Sequence, residues 1–241
     1  MTGSGIIIGQ LCRSPNTSTP LAVHGRTGTQ IATDIRLLEE NTRRQLDIAH
    51  NFYPTQPEAT RALLSVESFD GDIWEPACGA GHIVNVLADA GYRVVATDLN
   101  YRGTGASGID FLKQEKALAK HIVTNPPYGR GLADAFVLKA LSLTRQTGGN
   151  VAMLLNLSSL AEPSRTPWWR QHPPARVYAI DSVLCWPDPT RAPPAHFSRQ
   201  RYCWAVWTQD HKGPSAFWWL SAADFRRPQS SHNNTNKRRV S

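Results

Sequence analysis

Asn125-Pro126-Pro127-Tyr128 ends the apolar run His121-Ile122-Val123-Thr124, and its residue types suit one kind of chemistry. The run reads as a strand, so the tetrapeptide would sit at a strand's carboxyl end, where open α/β sheets bind ligands. The two prolines carry no N–H and have a fixed φ, which stiffens the corner and keeps the Pro126 carbonyl out of a helix ladder. Asn125 adds a side-chain amide. Such a corner can accept both hydrogens of an exocyclic amine while Tyr128 stacks on the ring that bears it. Taken alone, the same four residues also suit a proline-rich turn after a buried strand.

A second set lies upstream. Glu75-Pro76-Ala77-Cys78-Gly79-Ala80-Gly81 follows a short apolar run and opens a helical pattern. Glycines there let the backbone turn tightly and approach a ligand that a Cβ would push away. The spacing is neither the dinucleotide fingerprint nor a P-loop, so a phosphate cradle is disfavoured. Glu75 places a carboxylate beside the turn, which suits a ligand carrying positive charge, such as an α-amino group near a sulfonium. Asp98 ends the next strand, 17 residues after Gly81, about where a carboxylate meets ribose hydroxyls in a mononucleotide-binding half. Asp110-Phe111 then offers an acceptor for an adenine amino group and an apolar cover for its ring.

These residues need a scaffold, and the pattern supplies one. Short apolar runs at 72–75, 93–98, 121–124, 151–155, 177–181 and 202–208 read as strands. Helical stretches at 57–66, 82–90, 111–119 and 132–144 alternate with them, and a further helix is expected near 30–50. Such alternation predicts an α/β fold with a mainly parallel sheet covered on both faces. Residues 1–28 read as a flexible leader, 29–225 as a single domain, and 226–241 as a basic disordered tail. Pro-rich stretches make 158–175 and 184–200 candidate substrate-facing loops.

In order, Glu-Pro-Ala-Cys-Gly-Ala-Gly-His, Thr-Asp-Leu, Asp-Phe-Leu and Thr-Asn-Pro-Pro-Tyr resemble the motifs of class I S-adenosylmethionine-dependent methyltransferases that modify exocyclic amines. The DNA adenine-N6 enzymes with an Asn-Pro-Pro-Tyr motif, notably small phage and prophage ones, are the most similar. Asn51-Phe52-Tyr53-Pro54-Thr55 resembles their Phe-Tyr-Pro-Thr-Pro element, with Gln56 in place of the last proline. The resemblance implies a Rossmann-like fold with a seven-stranded sheet, S-adenosylmethionine as cofactor and a phage or bacterial origin. It assigns Tyr53, Thr55, Glu75, Pro76, Cys78, Gly79 and Gly81 to the methionine end of the cofactor. Asp98 would bind the ribose, Leu99 would lie against the adenine, and Asp110 and Phe111 would fix that ring and its amino group. Asn125, Pro126, Pro127 and Tyr128 would be the catalytic corner.

Charge and aromatics bear on the partner. Residues 1–160 hold 14 basic and 14 acidic side chains, so the whole excess of +7 comes from 161–241, with 12 basic and 5 acidic. Seven of the eight tryptophans fall there too, interleaved with arginines. Cations and stacking surfaces suit nucleic acid, with DNA favoured. Trp168, Trp169, Arg170 and Trp186 are the candidate substrate contacts, while Trp204, Trp207 and Trp218 are expected in the core. The same corner also serves RNA methyltransferases and enzymes that methylate glutamine amides. A fold retained only for binding nucleic acid is a further alternative, against which the intact corner speaks. The cysteines are far apart and form no pair with metal-ligand spacing, so no metal site is expected. Nothing reads as a membrane span or signal peptide, and a soluble, cytoplasmic enzyme is expected.

Overall fold

The computed structural model describes residues 52–185 and 200–226, all within one compact unit. The expected leader, the helix near 30–50, most of the 184–200 loop with Trp186, and the basic tail beyond Arg226 lie outside the described residues. Strands β1 (Ile73–Glu75), β2 (Val94–Ala96), β3 (His121–Thr124), β4 (Val151–Asn156), β5 (Arg176–Asp181), β6 (Tyr202–Trp207) and β7 (Ala216–Ser221) form one seven-stranded sheet in the order β2-β1-β3-β4-β6-β5-β7. Every pairing is parallel except those of β6, which runs antiparallel between β4 and β5.

Alternation along the strands explains the layers. Ala152, Leu154, Trp204 and Val206 point to one face, where helices α1 (Pro57–Leu64) and α2 (His82–Asp89) cover them. Val151, Met153, Leu155, Cys203, Ala205 and Trp207 point to the other, beneath α3 (Leu132–Thr147). Because side chains alternate with period two, a strand buried on both sides must be apolar throughout, as β4 and β6 are.

Three local expectations are corrected. Residues 111–119 do not form a helix: a single 3₁₀ turn, Phe111–Lys113, is capped by Asp110 and ends where Gln114 turns extended. Burial of Phe111 between Trp74 and Phe136 fixes that turn, and local helix propensity does not continue it. The 158–175 stretch is not an open loop, since it holds a short helix α4 (Thr166–Gln171) with Pro167 in its first turn, a position proline favours. Trp218 is not core. It is 56% exposed on β7, whose place at the sheet edge the sequence pattern did not reveal. Trp204 and Trp207 are buried, as expected.

Candidate active site

From β1 the chain crosses to β2 on one side, while β3 pairs on the other. The carboxyl ends of β1 and β3 therefore border a crevice at the point where strand order reverses. A cleft of about 380 Å³ opens there. Tyr53, Thr55, Glu75, Pro76, Cys78, Gly79, Asp98, Leu99, Asp110, Phe111, Asn125, Pro126 and Pro127 all line it. Gly81 stands just behind, as the N-cap of α2 with φ 84°.

The turn after β1 is shaped by two glycines. Gly79 has φ 52°, and a Cβ on it would meet the Phe52 ring at 2.6 Å. At Gly81 a Cβ would stand 2.7 Å from the Thr104 hydroxyl. Only glycine fits either place. Asp98 holds the turn across the crevice: its carboxylate accepts from the Gly79 N–H at 2.8 Å and from the Asn100 N–H at 2.8 Å. Asp110 accepts from the Leu112 N–H at 3.0 Å, and Phe111, 2% exposed, belongs mainly to the core below the cleft. Leu99 is at the rim, 59% exposed.

Glu75 is the electrostatic centre. It is 1% exposed, and burial pushes its pKa well above the ordinary carboxylate value. The Thr124 hydroxyl, donating to Oε1 at 2.5 Å, and the Ala77 N–H pull it back. Oε2 is buried with no partner among the described residues. A half-satisfied buried carboxylate facing a cleft is built to take a donor, and a cationic one best. Cys78 is no nucleophile here, since burial, with Glu75 and Asp98 adding to it, pushes its thiol up to about 12.

At the corner the amide of Asn125 is fixed by its surroundings. Nδ2 donates to the Tyr53 carbonyl at 3.0 Å and to Thr55 Oγ1 at 2.9 Å, which uses both its hydrogens. Oδ1 lies 2.5 Å from the Tyr128 hydroxyl, which also reaches the Leu154 carbonyl at 2.8 Å. Burial raises the Tyr128 pKa far above its usual value, so the phenol stays protonated and donates. An amide oxygen has two lone pairs, and one remains for a ligand.

The sequence reading missed several of these parts. Thr124, Phe52 and Gln56 stood inside the quoted motifs, but the hydroxyl of Thr124 on Glu75, the Arg102 guanidinium 4.2 Å over the Phe52 ring and the reach of the Gln56 side chain were not foreseen. Gln56 Oε1 accepts from the Leu184 N–H at 2.7 Å and so ties the Tyr53–Thr55 arm to the segment after β5. Trp168, Trp169 and Arg170 do not reach the cleft. Both indoles pack on the α3 side of the core, with Trp169 stacked on Trp207, and Arg170 is exposed.

No family model matches the sequence, and no curated protein matches it. Among solved structures, a modification subunit assigned to a type I restriction enzyme from Vibrio vulnificus aligns over 87% of this chain with a TM-score of 0.51 and 14% identity. The fold is of the Rossmann-like methyltransferase type. The alignment covers 55% of that subunit, so the chain spans about half its length. A TehB-like SAM-dependent methyltransferase from Corynebacterium glutamicum aligns over 70% of this chain and 96% of its own, with a TM-score of 0.43 and 14% identity. An O-methyltransferase from Thermotoga maritima covers 65% and 66%, with a TM-score of 0.41 and 14% identity. The likeness is one of fold. Among the described residues no helix is long and apolar enough to cross a membrane, and no group of three or more His, Cys, Asp or Glu could hold a metal ion.

Proposed function

We propose that the protein is an S-adenosylmethionine-dependent methyltransferase that modifies the exocyclic N6 of adenine in DNA. The observation that carries the reading is the pairing, across one crevice, of an orphaned buried carboxylate oxygen at Glu75 with an immobilised Asn125 amide and the Pro126 carbonyl. Glu75 Oε2 and the glycine turn fit the α-amino end of such a cofactor, while Asp98 and Asp110 fit its ribose and adenine. When bound, the cofactor supplies an electrophilic methyl group on sulfur.

The chain's own residues do the rest. An adenine N6 lone pair is delocalised into the ring and is a poor nucleophile. Asn125 Oδ1 and the Pro126 carbonyl accept the two N6 hydrogens, favour a pyramidal nitrogen and stabilise the positive charge that grows on it. Asn125 Oδ1 does not have to reorganise, because Tyr53, Thr55 and Tyr128 already hold the amide. Orientation of the two reactants supplies the entropic part. In duplex DNA the base must be flipped out to reach the corner.

DNA is preferred over other amines because of the basic, Trp-rich last third of the sequence. Radiolabelled S-adenosylmethionine supplied with DNA, RNA or a glutamine-bearing peptide, followed by digestion, tests this. Label is expected in N6-methyladenine from DNA, and its rate of appearance should fall about a hundred- to thousandfold with Asn125→Ala. Label only in peptide would sink the assignment.

A further inference from the structure

Charge is unevenly divided in the cleft that the corner borders. Glu75, Asp98 and Asp110 bring three carboxylates to its wall. His82 lines it too, but burial lowers its pKa below the ordinary 6.5, so the ring is neutral near neutral pH. Among the described residues lining the cleft, Arg102 is then the one standing cation.

The loop after β2 delivers it to the glycine turn. The Cys78 thiol donates to the Thr104 carbonyl at 3.3 Å, and the Ala106 N–H donates to the Ala96 carbonyl at 3.0 Å. Between them Gly105, with φ 73°, packs so closely that a Cβ would meet the Ala96 carbonyl at 2.6 Å. The loop is therefore folded back on the turn. Phe52 lies against Gly79, and the Arg102 guanidinium stands 4.2 Å over the centre of the same ring. An aromatic face steadies a guanidinium, whose N–H groups form a planar fork that matches a carboxylate.

Such stacking could serve only to pin the Phe52–Thr55 arm. Glu75 points to a ligand instead. Its orphaned, buried Oε2 borders the same turn, while its Oε1 accepts from the Ala77 N–H. A carboxylate in need of a donor and a steadied cation beside one turn suit a zwitterion, and an α-amino acid carries its ammonium and carboxylate on a single carbon. The start of α2 adds to this, since Gly81 is its N-cap with no side-chain cap, and His82 and Ile83 face the cleft. Helix N-termini favour anions.

We propose that Arg102 binds the α-carboxylate of the cofactor's methionine end while Glu75 takes the ammonium. This rests on the cofactor reading above and adds the residue that completes the zwitterion site. Without Arg102, three carboxylates in the wall would oppose a fourth on the ligand.

Calorimetric titration tests it with S-adenosylhomocysteine, its decarboxylated analogue, and methylthioadenosine, which lacks the whole amino-acid end. Wild type, Arg102→Ala and Arg102→Gln are compared. Wild type is expected to bind S-adenosylhomocysteine about ten- to hundredfold tighter than the decarboxylated analogue. Both variants should lose most of that ratio and keep their affinity for methylthioadenosine. Arg102→Gln retains a stem over Phe52 without the charge, and it serves if Arg102→Ala does not fold. A ratio near one in wild type, a ratio that survives both variants, or an equal loss for all three ligands would overturn the role of Arg102 and leave the cofactor reading standing. Folded wild type that binds none of the three would overturn both.

Discussion

Two buried glutamates separate the working half of this sheet from its supporting half. Glu67, 8% exposed, has both oxygens engaged: Arg176 takes them in a fork and the Tyr178 hydroxyl donates at 2.6 Å. Glu75 is more deeply buried, yet one of its oxygens has no partner among the described residues. Glu67 joins the segment after α1 to the start of β5, at the ends of strands remote from the cleft. Glu75 sits at the carboxyl end of β1, where strand order reverses. The contrast teaches how a fold marks a ligand site: a structural carboxylate is satisfied by the chain, while a binding carboxylate is desolvated and left half open.

The strands differ in the same sense. Those bordering the cleft are short, three residues in β1 and β2 and four in β3, and lead into glycine or proline turns. The four from β4 onward have six residues each. Length there gives ladder and buried apolar surface, and the short strands leave backbone free to shape a pocket.

Replacing either glutamate breaks the comparison in opposite directions. Glu67→Ala strands Arg176 without its partner and is expected to cost about 3–5 kcal/mol, roughly ten degrees in melting temperature. Cofactor affinity measured on the folded fraction should not change. Next comes Asn125→Ala, which should leave melting and cofactor affinity intact while slowing methyl transfer about a hundred- to thousandfold. A loss of cofactor affinity equal to the loss of rate would show that Asn125 serves binding and not the reaction.

Glu75→Gln should do the reverse of Glu67→Ala. Stability is held or raised, and cofactor affinity falls by about 1.5–3 kcal/mol, roughly ten- to hundredfold. The pH dependence sharpens this. Burial raises the Glu75 pKa above its ordinary 4.5, so without cofactor its contribution to folding is complete below that value and is lost as pH rises toward the raised one. Melting of wild type relative to Glu75→Gln should therefore fall as pH rises above the ordinary value of 4.5, and saturating cofactor should oppose the fall. A constant difference across that range would mean that Glu75 is charged and satisfied throughout.

The smallest effect is expected at Gln56. Gln56→Ala removes the acceptor of the Leu184 N–H and loosens the arm that holds Asn125 Nδ2. The cost should be near 1 kcal/mol, seen as a severalfold drop in kcat with KM for cofactor nearly unchanged. A change confined to melting temperature would make Gln56 a structural latch only.

The cleft-bordering half was readable because its signals are local. Gly79 and Gly81 announce a turn, Asp98 and Asp110 end or cap short elements, and Asn125-Pro126-Pro127-Tyr128 is contiguous. The other half was read less well, for physical reasons. Trp218 lies in an aromatic run that looks like a core strand, and only its place at the sheet edge exposes it. Residues 111–119 have helical spacing, but the burial of Phe111 outweighed it.

The amino-acid sequence by itself determined the chemistry on offer: an amide and a carbonyl for an amine, a carboxylate for a cation, and a backbone turn that only glycine allows. Those depend on residue type and near-neighbour spacing, and no fold is needed to state them. The tertiary structure decided which groups remain open. Hydrogen bonds donated by Tyr128 and Thr124 and accepted by Asp98 join positions 3 to 49 residues apart, and the bond between Gln56 and Leu184 spans 128. Whether an oxygen such as Glu75 Oε2 is satisfied or left for a ligand depends on partners brought from that far along the chain, and only packing sets that.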